Sequence, residues 1–172
     1  ILQEAVQPEG DTNFAGLIDQ VADICAALPV PVIAKEVGWG CSPPDIQLLR
    51  DAGVSAIDVA GSGGTSWSEV EYHRAPSTFH AEVARAFADW GIPTAEGICY
   101  VQETAPELVT IASGGIKDGI DVAKCIALGA DLVGMAGNFL KAADQSVEAI
   151  GDFIEITQKQ FKVAMFAAGV SS

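Results

Sequence analysis

Three glycine-rich segments are the first places where the chain could do chemistry, because each could bind an anion. They are 61–65 (Gly-Ser-Gly-Gly-Thr), 113–115 (Ser-Gly-Gly) and 136–137 (Ala-Gly). Glycine lets backbone N–H groups approach an anion closely, and the N-terminus of a following helix adds a favourable dipole. A tight turn explains any one of them equally well. Three in succession, each after an apolar run, predict a ligand that carries phosphate.

Lys35 is a second candidate, because it follows the apolar run Val32-Ile33-Ala34. A lysine is rarely buried without a partner. In a structural interpretation, the ammonium lies at the end of a sheet and pairs with Glu36 or Asp58. In a functional interpretation, it faces the electron-rich ring of a cofactor. The residue types alone leave both interpretations open.

Glu4 and His73 are weaker candidates. Mg²⁺ favours one or two carboxylates together with substrate phosphates, so Glu4 is a possible magnesium ligand, although a solvated carboxylate explains it as well. His73 lies in the long segment 61–78, and long loops often cover a site. Catalysis by His73 competes with a simpler interpretation, in which it pairs with Glu69 or Glu71 at the surface.

Four apolar, β-type segments are expected to position these residues: 31–37, 55–60, 108–112 and 131–135. Between and after them, apolar periodicity predicts helices at 12–28, 43–52, 79–90, 96–104 and 118–128, with 139–168 mostly helical. Segment 61–78 is expected to be a loop. This alternation is typical of parallel βαβ units, whose strands are buried on both faces.

The expected strands all end in glycines or polar residues, so the chemistry is expected at the carboxyl edge of the sheet. Barrels and open α/β sheets place their sites at that edge. Two of the glycine segments, 113–115 and 136–137, follow the last two strands and precede helices. Barrels with eight βα units commonly bind phosphate at that position.

Charge and composition exclude several classes of protein. The chain has 9 Lys and Arg against 23 Asp and Glu, a net charge of −14, whereas a nucleic-acid surface needs the opposite sign. No stretch of about 18 residues is both apolar and uncharged, so no membrane partner is expected. The four cysteines lack metal-ligand spacing and predict reduced thiols in a cytoplasmic protein: Cys25, Cys41, Cys99 and Cys125.

Several longer segments occur in an order that points to one family. They are 2–4 (Leu-Gln-Glu), 7–11 (Gln-Pro-Glu-Gly-Asp), 35–40 (Lys-Glu-Val-Gly-Trp-Gly), 57–67 (Ile-Asp-Val-Ala-Gly-Ser-Gly-Gly-Thr-Ser-Trp) and 111–116 (Ile-Ala-Ser-Gly-Gly-Ile). Together they resemble the type 2 isopentenyl-diphosphate Δ-isomerases over nearly the whole chain, with matching spacing. A Gly-Gly pair alone is a weak signal, whereas the ordered set is specific.

The resemblance implies an α/β fold, the (β/α)₈ TIM barrel, with FMN, Mg²⁺ and NADPH as cofactors. It implies an isomerase of isoprenoid biosynthesis that interconverts isopentenyl and dimethylallyl diphosphate. Such a barrel takes about 250 residues, and the chain has 172. We therefore expect 1–172 to be the C-terminal half of one FMN-binding barrel domain, roughly strands 5–8, without its N-terminal half. We also expect exposed apolar sheet edges, low activity in isolation and a homo-oligomer at full length.

The resemblance also implies roles for particular residues. Gln3 resembles the catalytic glutamine beside the alkene of the substrate, and Glu4 the carboxylate that holds Mg²⁺ at the diphosphate. Lys35 matches the strand lysine that contacts the flavin, and Trp67 falls in the loop over the substrate. The other expected flavin contacts are Thr65, Gly114, Gly115, Ile116, Ala136 and Gly137. Many members have Ser in place of Ala60 and Arg in place of Lys117, which leaves the backbone contacts intact.

In the implied reaction, reduced flavin held close to the alkene serves as acid and base, because ordinary side chains protonate an alkene poorly. An uncharged glutamine can orient or relay a proton without quenching a cationic intermediate. One alternative is another FMN-dependent barrel oxidoreductase, such as a hydroxy-acid oxidase. That class usually needs a His/Arg pair or a reactive loop cysteine, and neither Cys41 nor 73–74 lies in such a motif. The other alternative is a non-catalytic fragment that binds flavin or phosphate.

Overall fold

Four parallel strands form an open sheet in the computed structural model of the chain, which describes residues 1–170. Their spatial order is the order of the chain: β1 (Ile33–Lys35), β2 (Ala56–Asp58), β3 (Val109–Ala112) and β4 (Leu132–Val133). The register pairs Lys35 with Asp58, Asp58 with Ile111 and Ala112 with Val133. Sequential parallel order follows from successive crossovers of one hand. The predicted parallel βαβ units are therefore confirmed.

The helices that connect and flank the strands are α1 (Leu2–Val6), α2 (Leu17–Ala27), α3 (Pro43–Asp51), α4 (Trp67–Arg74), α5 (Thr78–Arg85), α6 (Thr94–Thr104), α7 (Gly119–Ala127), α8 (Gly137–Ala143) and α9 (Val147–Ala167). Side-chain N-caps define the starts of five of them: Ser42, Ser66, Ser77, Asp118 and Ser146. Each cap oxygen accepts a backbone N–H that the first helical turn leaves unpaired.

Two local expectations are wrong. Segment 61–78 is not a loop throughout, because α4 occupies its middle after the N-cap Ser66. The helix expected at 12–28 begins only at Leu17, after Gly16 in the left-handed conformation (φ 74°), because Asp11 and Asn13 accept backbone N–H groups in the preceding turns. The C-terminal region is mostly helical, as expected, and divides into α8 and α9 at the N-cap Ser146.

The core lies where α3 and α6 pack against the central strands. Ile46, Ile57 and Ile98 are fully buried, and they belong to a cluster that includes Val59. Burying an aliphatic side chain of this size contributes about 1.5–3 kcal/mol. A Cβ on Gly97 would lie 3.3 Å from the Cβ of Val59, so this glycine lets α6 approach the end of β2 closely.

Both edges of the sheet are open. The edge strands expose apolar side chains, with Ile33 53% and Leu132 56% exposed, as expected for this chain. Neither α2 nor α9 contains a buried residue. The described residues thus form a partial layer of strands and helices rather than a closed barrel. Within residues 1–170, every helix is too short or too polar to cross a membrane.

Candidate functional site at the carboxyl edge of the sheet

Lys35, Asp58 and Ser113 meet where the first three strands end. The Nζ of Lys35 lies 2.6 Å from Oδ2 of Asp58 and 3.4 Å from Oγ of Ser113. Ser113 in turn donates its hydroxyl hydrogen to Oδ1 of Asp58 at 2.6 Å. The structural interpretation of Lys35, a pair with Asp58, is therefore confirmed. The side chain of Lys35 remains 58% exposed, so the paired ammonium is also accessible to a ligand.

Asp58 itself is buried, and donors surround its carboxylate. Only 8% of the residue is exposed, and the backbone N–H of Ala60 donates to Oδ1 at 3.2 Å, in addition to Ser113 and Lys35. A buried carboxylate is tolerated when it is paired and hydrogen-bonded in this way. Within residues 1–170, Ala60 is the only residue other than glycine with a positive φ, 31°. The chain therefore turns sharply directly after the paired carboxylate.

Two of the glycine segments, 61–65 and 113–115, pack directly against each other. A Cβ on Gly114 (φ 101°) would overlap the carbonyl oxygen of Gly61 and lie 2.8 Å from Oγ1 of Thr94. A Cβ on Gly115 (φ 74°) would lie 2.5 Å from the carbonyl carbon of Gly63. The buried Thr94 hydroxyl bridges the carbonyl oxygens of Ser113 (3.0 Å) and Gly114 (2.7 Å). Close backbone packing, and not only a turn, therefore requires these glycines.

Unused backbone donors line the ends of β3 and β4. Among the described residues, no group accepts from the N–H of Gly115, Ile116, Ala136 or Gly137. The two turns are joined, because Nδ2 of Asn138 donates to the carbonyl oxygen of Lys117 at 2.7 Å. Free N–H groups in adjacent glycine turns are the donors that a phosphate needs. With the Lys35 ammonium, this donor set fits a cofactor that has both a phosphate and an electron-rich ring.

Gln3 belongs to a second group of side chains, on α1 and α4. The Nε2 atoms of Gln3 and Gln7 both donate to Oε1 of Glu71 at 2.9 Å. Glu71 is buried, and these hydrogen bonds, together with the Arg74 guanidinium 3.8 Å away, hold its pKa below the usual range of a glutamate. His73 does not take the expected glutamate partner within the described residues, and its ring packs on Tyr72 instead. Glu71 therefore anchors Gln3, a role that the sequence pattern did not predict for it.

Glu4 closes the turn after α1 and is partly exposed. Its Oε2 accepts the backbone N–H of Asp11 at 3.0 Å. Within residues 1–170, no group of three or more His, Cys, Asp or Glu side chains is placed to hold a metal ion. Glu4 alone therefore fits Mg²⁺ only if a substrate or water supplies the other oxygens.

Thr65 lines a cavity of about 650 Å³ beside the loop that follows β2, a size typical of small-molecule sites. Trp39, Arg85 and Trp90 also line this cavity, and no motif in the sequence predicted the last two as site residues. Trp67 lies next to it and donates from Nε1 to the carbonyl oxygen of Val37 at 2.6 Å. That bond ties the start of α4 to the loop after β1, so Trp67 links two of the loops that form the site.

Cys41 is not a nucleophile of this site. Burial, together with the nearby carboxylates of Glu36, Asp45 and Asp58, raises the pKa of its thiol to about 12. The thiol is therefore protonated at neutral pH, and only a thiolate is a strong nucleophile. This finding argues against the class of flavin oxidoreductase that uses a reactive cysteine.

The pH dependence of the Gln3–Glu71 contact is predictable. The folded-state pKa of Glu71 lies below its unfolded value, so its contribution to stability is complete above the unfolded pKa. That contribution is lost as the pH falls through the folded pKa, because a protonated carboxyl no longer holds both amides. We expect the side-chain amide signals of Gln3 and Gln7 to shift together on acidification, measured by NMR. In a Glu71→Gln variant these shifts should be absent; if they persist, another group anchors α1.

Comparisons with known proteins show which family the chain resembles over nearly its whole length. The model of a family described as FMN-dependent dehydrogenase matches residues 6–172. An isopentenyl-diphosphate delta-isomerase of Nostoc sp. is 52% identical, with 98% of this chain and 48% of the relative covered. Enzymes of the same name from Stutzerimonas stutzeri and Rickettsia bellii are 50% and 46% identical, with 98% of this chain and 49% of each relative covered. The chain thus spans about half the length of the curated relatives it matches.

A solved structure of a mandelate oxidase variant is similar in fold. It superposes with a TM-score of 0.60 at 21% identity and covers 89% of this chain and 39% of the oxidase. At that identity the likeness concerns the fold alone. Together with the family match and the parallel sheet, it shows a TIM-barrel-like α/β fold.

Proposed function

Because the chain belongs to the FMN-dependent dehydrogenase family and is about half identical to isopentenyl-diphosphate delta-isomerases, we propose that it is part of an FMN-dependent enzyme that interconverts isopentenyl and dimethylallyl diphosphate. We propose further that it forms the C-terminal half, strands 5–8, of one barrel domain. Four parallel strands in sequential order, two open apolar edges and the half-length match to the relatives support this placement.

One observation carries the proposal: an accessible ammonium and unused N–H donors lie together at the carboxyl edge of the sheet. In this proposal Lys35 contacts the flavin ring, and the N–H groups of Gly115, Ile116, Ala136 and Gly137 hold the FMN phosphate. Thr65 and Gly114 complete the contacts, Thr65 from the cavity and Gly114 by shaping the turn. When bound, reduced FMN supplies the acid–base chemistry that no side chain here provides for an alkene.

Gln3 is proposed as the catalytic side chain, and its neighbour defines how it presents its amide. An ionised Glu71 can only accept hydrogen bonds, so the Gln3 atom that faces it is the NH₂ group. The carbonyl oxygen of Gln3 is therefore the end left for the substrate. The negative end of a neutral dipole stabilises positive charge on an alkene carbon without forming a permanent bond. Glu71 acts here as a positioning residue.

Glu4 is proposed to hold Mg²⁺, with diphosphate oxygens among its other ligands. The net charge of −14 supports a need for this cation, because such a chain repels a free diphosphate. Trp67 is proposed to line the substrate loop. Following the family resemblance, we also propose NADPH as the reductant, a cytoplasmic location and a homo-oligomer at full length.

Turnover of isopentenyl diphosphate tests the function. The assay contains FMN, NADPH and Mg²⁺ without oxygen, and it compares this chain with a version extended to the length of the relatives. We expect the extended protein to form dimethylallyl diphosphate with no stoichiometric loss of NADPH, and we expect EDTA to stop the reaction. Oxidation of a 2-hydroxy acid without isomerisation would identify an oxidoreductase instead. Flavin binding with neither activity would identify a non-catalytic module.

A further inference from the structure

We propose that Asp58 is a positioning residue for the flavin site, which fixes the Lys35 ammonium in the one place where it stabilises the reduced ring. The inference rests on the proposed FMN site and adds a residue that the family resemblance did not assign. The two partners differ in exposure: Lys35 is largely exposed, whereas Asp58 is buried and accepts hydrogen bonds at both carboxylate oxygens. The pair is joined at 2.6 Å across the register of β1 and β2.

Asp58 is held from several directions, so it can act as a fixed anchor. Its backbone lies in the central strand β2, paired to β1 on one side and β3 on the other. Its Oδ1 atom receives the Ser113 hydroxyl at 2.6 Å and the Ala60 N–H at 3.2 Å. Its Oδ2 atom is thereby left for Lys35 alone. The Lys35 side chain has four rotatable bonds, and its bond to the anchored Asp58 carboxylate restricts the ammonium to one position.

The fixed location matters because the charge of an exposed ammonium is strongly screened. A cation in water at an undefined distance stabilises a reduced flavin little, whereas one held against the ring acts through a low dielectric. The carboxylate is partly neutralised by the Ser113 hydroxyl and the Ala60 N–H, which both donate to it. Loss of Asp58 should therefore cost more by freeing Lys35 than it gains by removing a negative charge. The preference for reduced FMN is therefore expected to fall, and not to rise, when Asp58 is lost.

The test measures the dissociation constants of oxidised and reduced FMN for the FMN-binding wild-type protein and for its variants. The ratio of the two constants gives the preference for reduced over oxidised FMN. Reduced flavin carries more negative charge, so Lys35→Met should lower the preference for reduced over oxidised FMN by about tenfold, which corresponds to about 30 mV for a two-electron couple. We expect Asp58→Asn, which keeps the shape of the side chain, to produce nearly the same decrease. In the Lys35→Met background, Asp58→Asn should change the preference by less than about twofold, because no ammonium remains to be held.

Asp131→Asn is the matched control. Asp131 also accepts a backbone N–H, from Thr110 at 2.8 Å, but it precedes β4, at the opposite end of the sheet, so its loss should leave the preference unchanged. A merely structural role of Asp58 would weaken both redox forms equally, and in both backgrounds, and would overturn the inference. An increased preference for reduced FMN in Asp58→Asn would also overturn it, by showing a counter-charge rather than an anchor. If the wild type does not bind FMN, both this inference and the proposed function are wrong. If Asp58→Asn isomerises normally and its preference for reduced over oxidised FMN is unchanged, this inference alone is wrong.

Discussion

A Gly114→Ala variant is expected to bind FMN at least about a hundredfold more weakly than the wild type while retaining its sheet. The new methyl group would overlap the carbonyl oxygen of Gly61 and approach the Thr94 hydroxyl to 2.8 Å, at a φ of 101° that alanine rarely adopts. Strain of this kind costs about 1–3 kcal/mol, and each displaced hydrogen bond adds about 1 kcal/mol. A total of about 2.7 kcal/mol corresponds to the hundredfold loss.

The loss arises because segments 61–65 and 113–115 must separate to admit the methyl group. The bond from the N–H of Gly61 to the carbonyl oxygen of Ser113 (3.0 Å) would break or lengthen, as would the contacts that the Thr94 hydroxyl donates to the carbonyl oxygens of Ser113 and Gly114. The N–H donors of Gly115 and Ile116 would then leave the position proposed for binding the phosphate. Quenching of flavin fluorescence measures the affinity, and circular dichroism reports whether the sheet persists.

Gly151→Ala is the matched control for this substitution. Gly151 lies within α9, and a Cβ there meets no atom within 4 Å. The change should leave FMN affinity unaltered and stabilise the helix by about 0.5–1 kcal/mol, because alanine loses less backbone entropy. Wild-type affinity in Gly114→Ala would show that the phosphate is not held at the end of β3.

The strands could be predicted from the sequence because each one lies within a short apolar run that is visible in the local sequence. Apolar runs at 31–37, 55–60, 108–112 and 131–135 each contain one observed strand, although the strands are shorter than the runs. The helix α4 could not be predicted in the same way. Its buried face consists of Ser68 and Glu71, which are polar, so the apolar periodicity that reveals an ordinary amphipathic helix is absent.

For the site residues too, the local sequence predicted residue types but not the contacts between distant residues. Lys35 and the glycine segments were visible as types at the ends of apolar runs, and two partners for Lys35, Glu36 and Asp58, remained open. Register decides that Lys35 faces Asp58 and that Ser113 reaches both, and register depends on how whole strands pair. The contact between Gln3 and Glu71 joins residues 68 positions apart on two helices, neither of which was expected. No local spacing encodes such a contact.

A Gln3→Ala variant is expected to lower kcat for isopentenyl diphosphate by about a hundredfold to a thousandfold, the usual cost of removing one group that stabilises developing charge. The substitution removes the amide oxygen of Gln3, which points away from Glu71 because the amide NH₂ group donates to that carboxylate. Because the interaction is proposed to strengthen in the transition state, KM should change little and the loss should fall on kcat. Steady-state assays of the extended protein with FMN, NADPH and Mg²⁺ give both parameters.

Gln7→Ala separates catalysis by Gln3 from anchoring of α1, because the two glutamines make equivalent contacts. Each donates from Nε2 to the same oxygen of Glu71 at 2.9 Å, and Gln7 follows directly after the helix that carries Gln3. Loss of either one removes one hydrogen bond from α4, so both variants should lose similar stability. Only Gln3→Ala also removes the amide oxygen that is proposed to face the substrate. Gln7→Ala should therefore lower kcat by less than about tenfold. Equal losses of kcat in the two variants would mean that Gln3 holds α1 in place and that the catalytic side chain lies elsewhere.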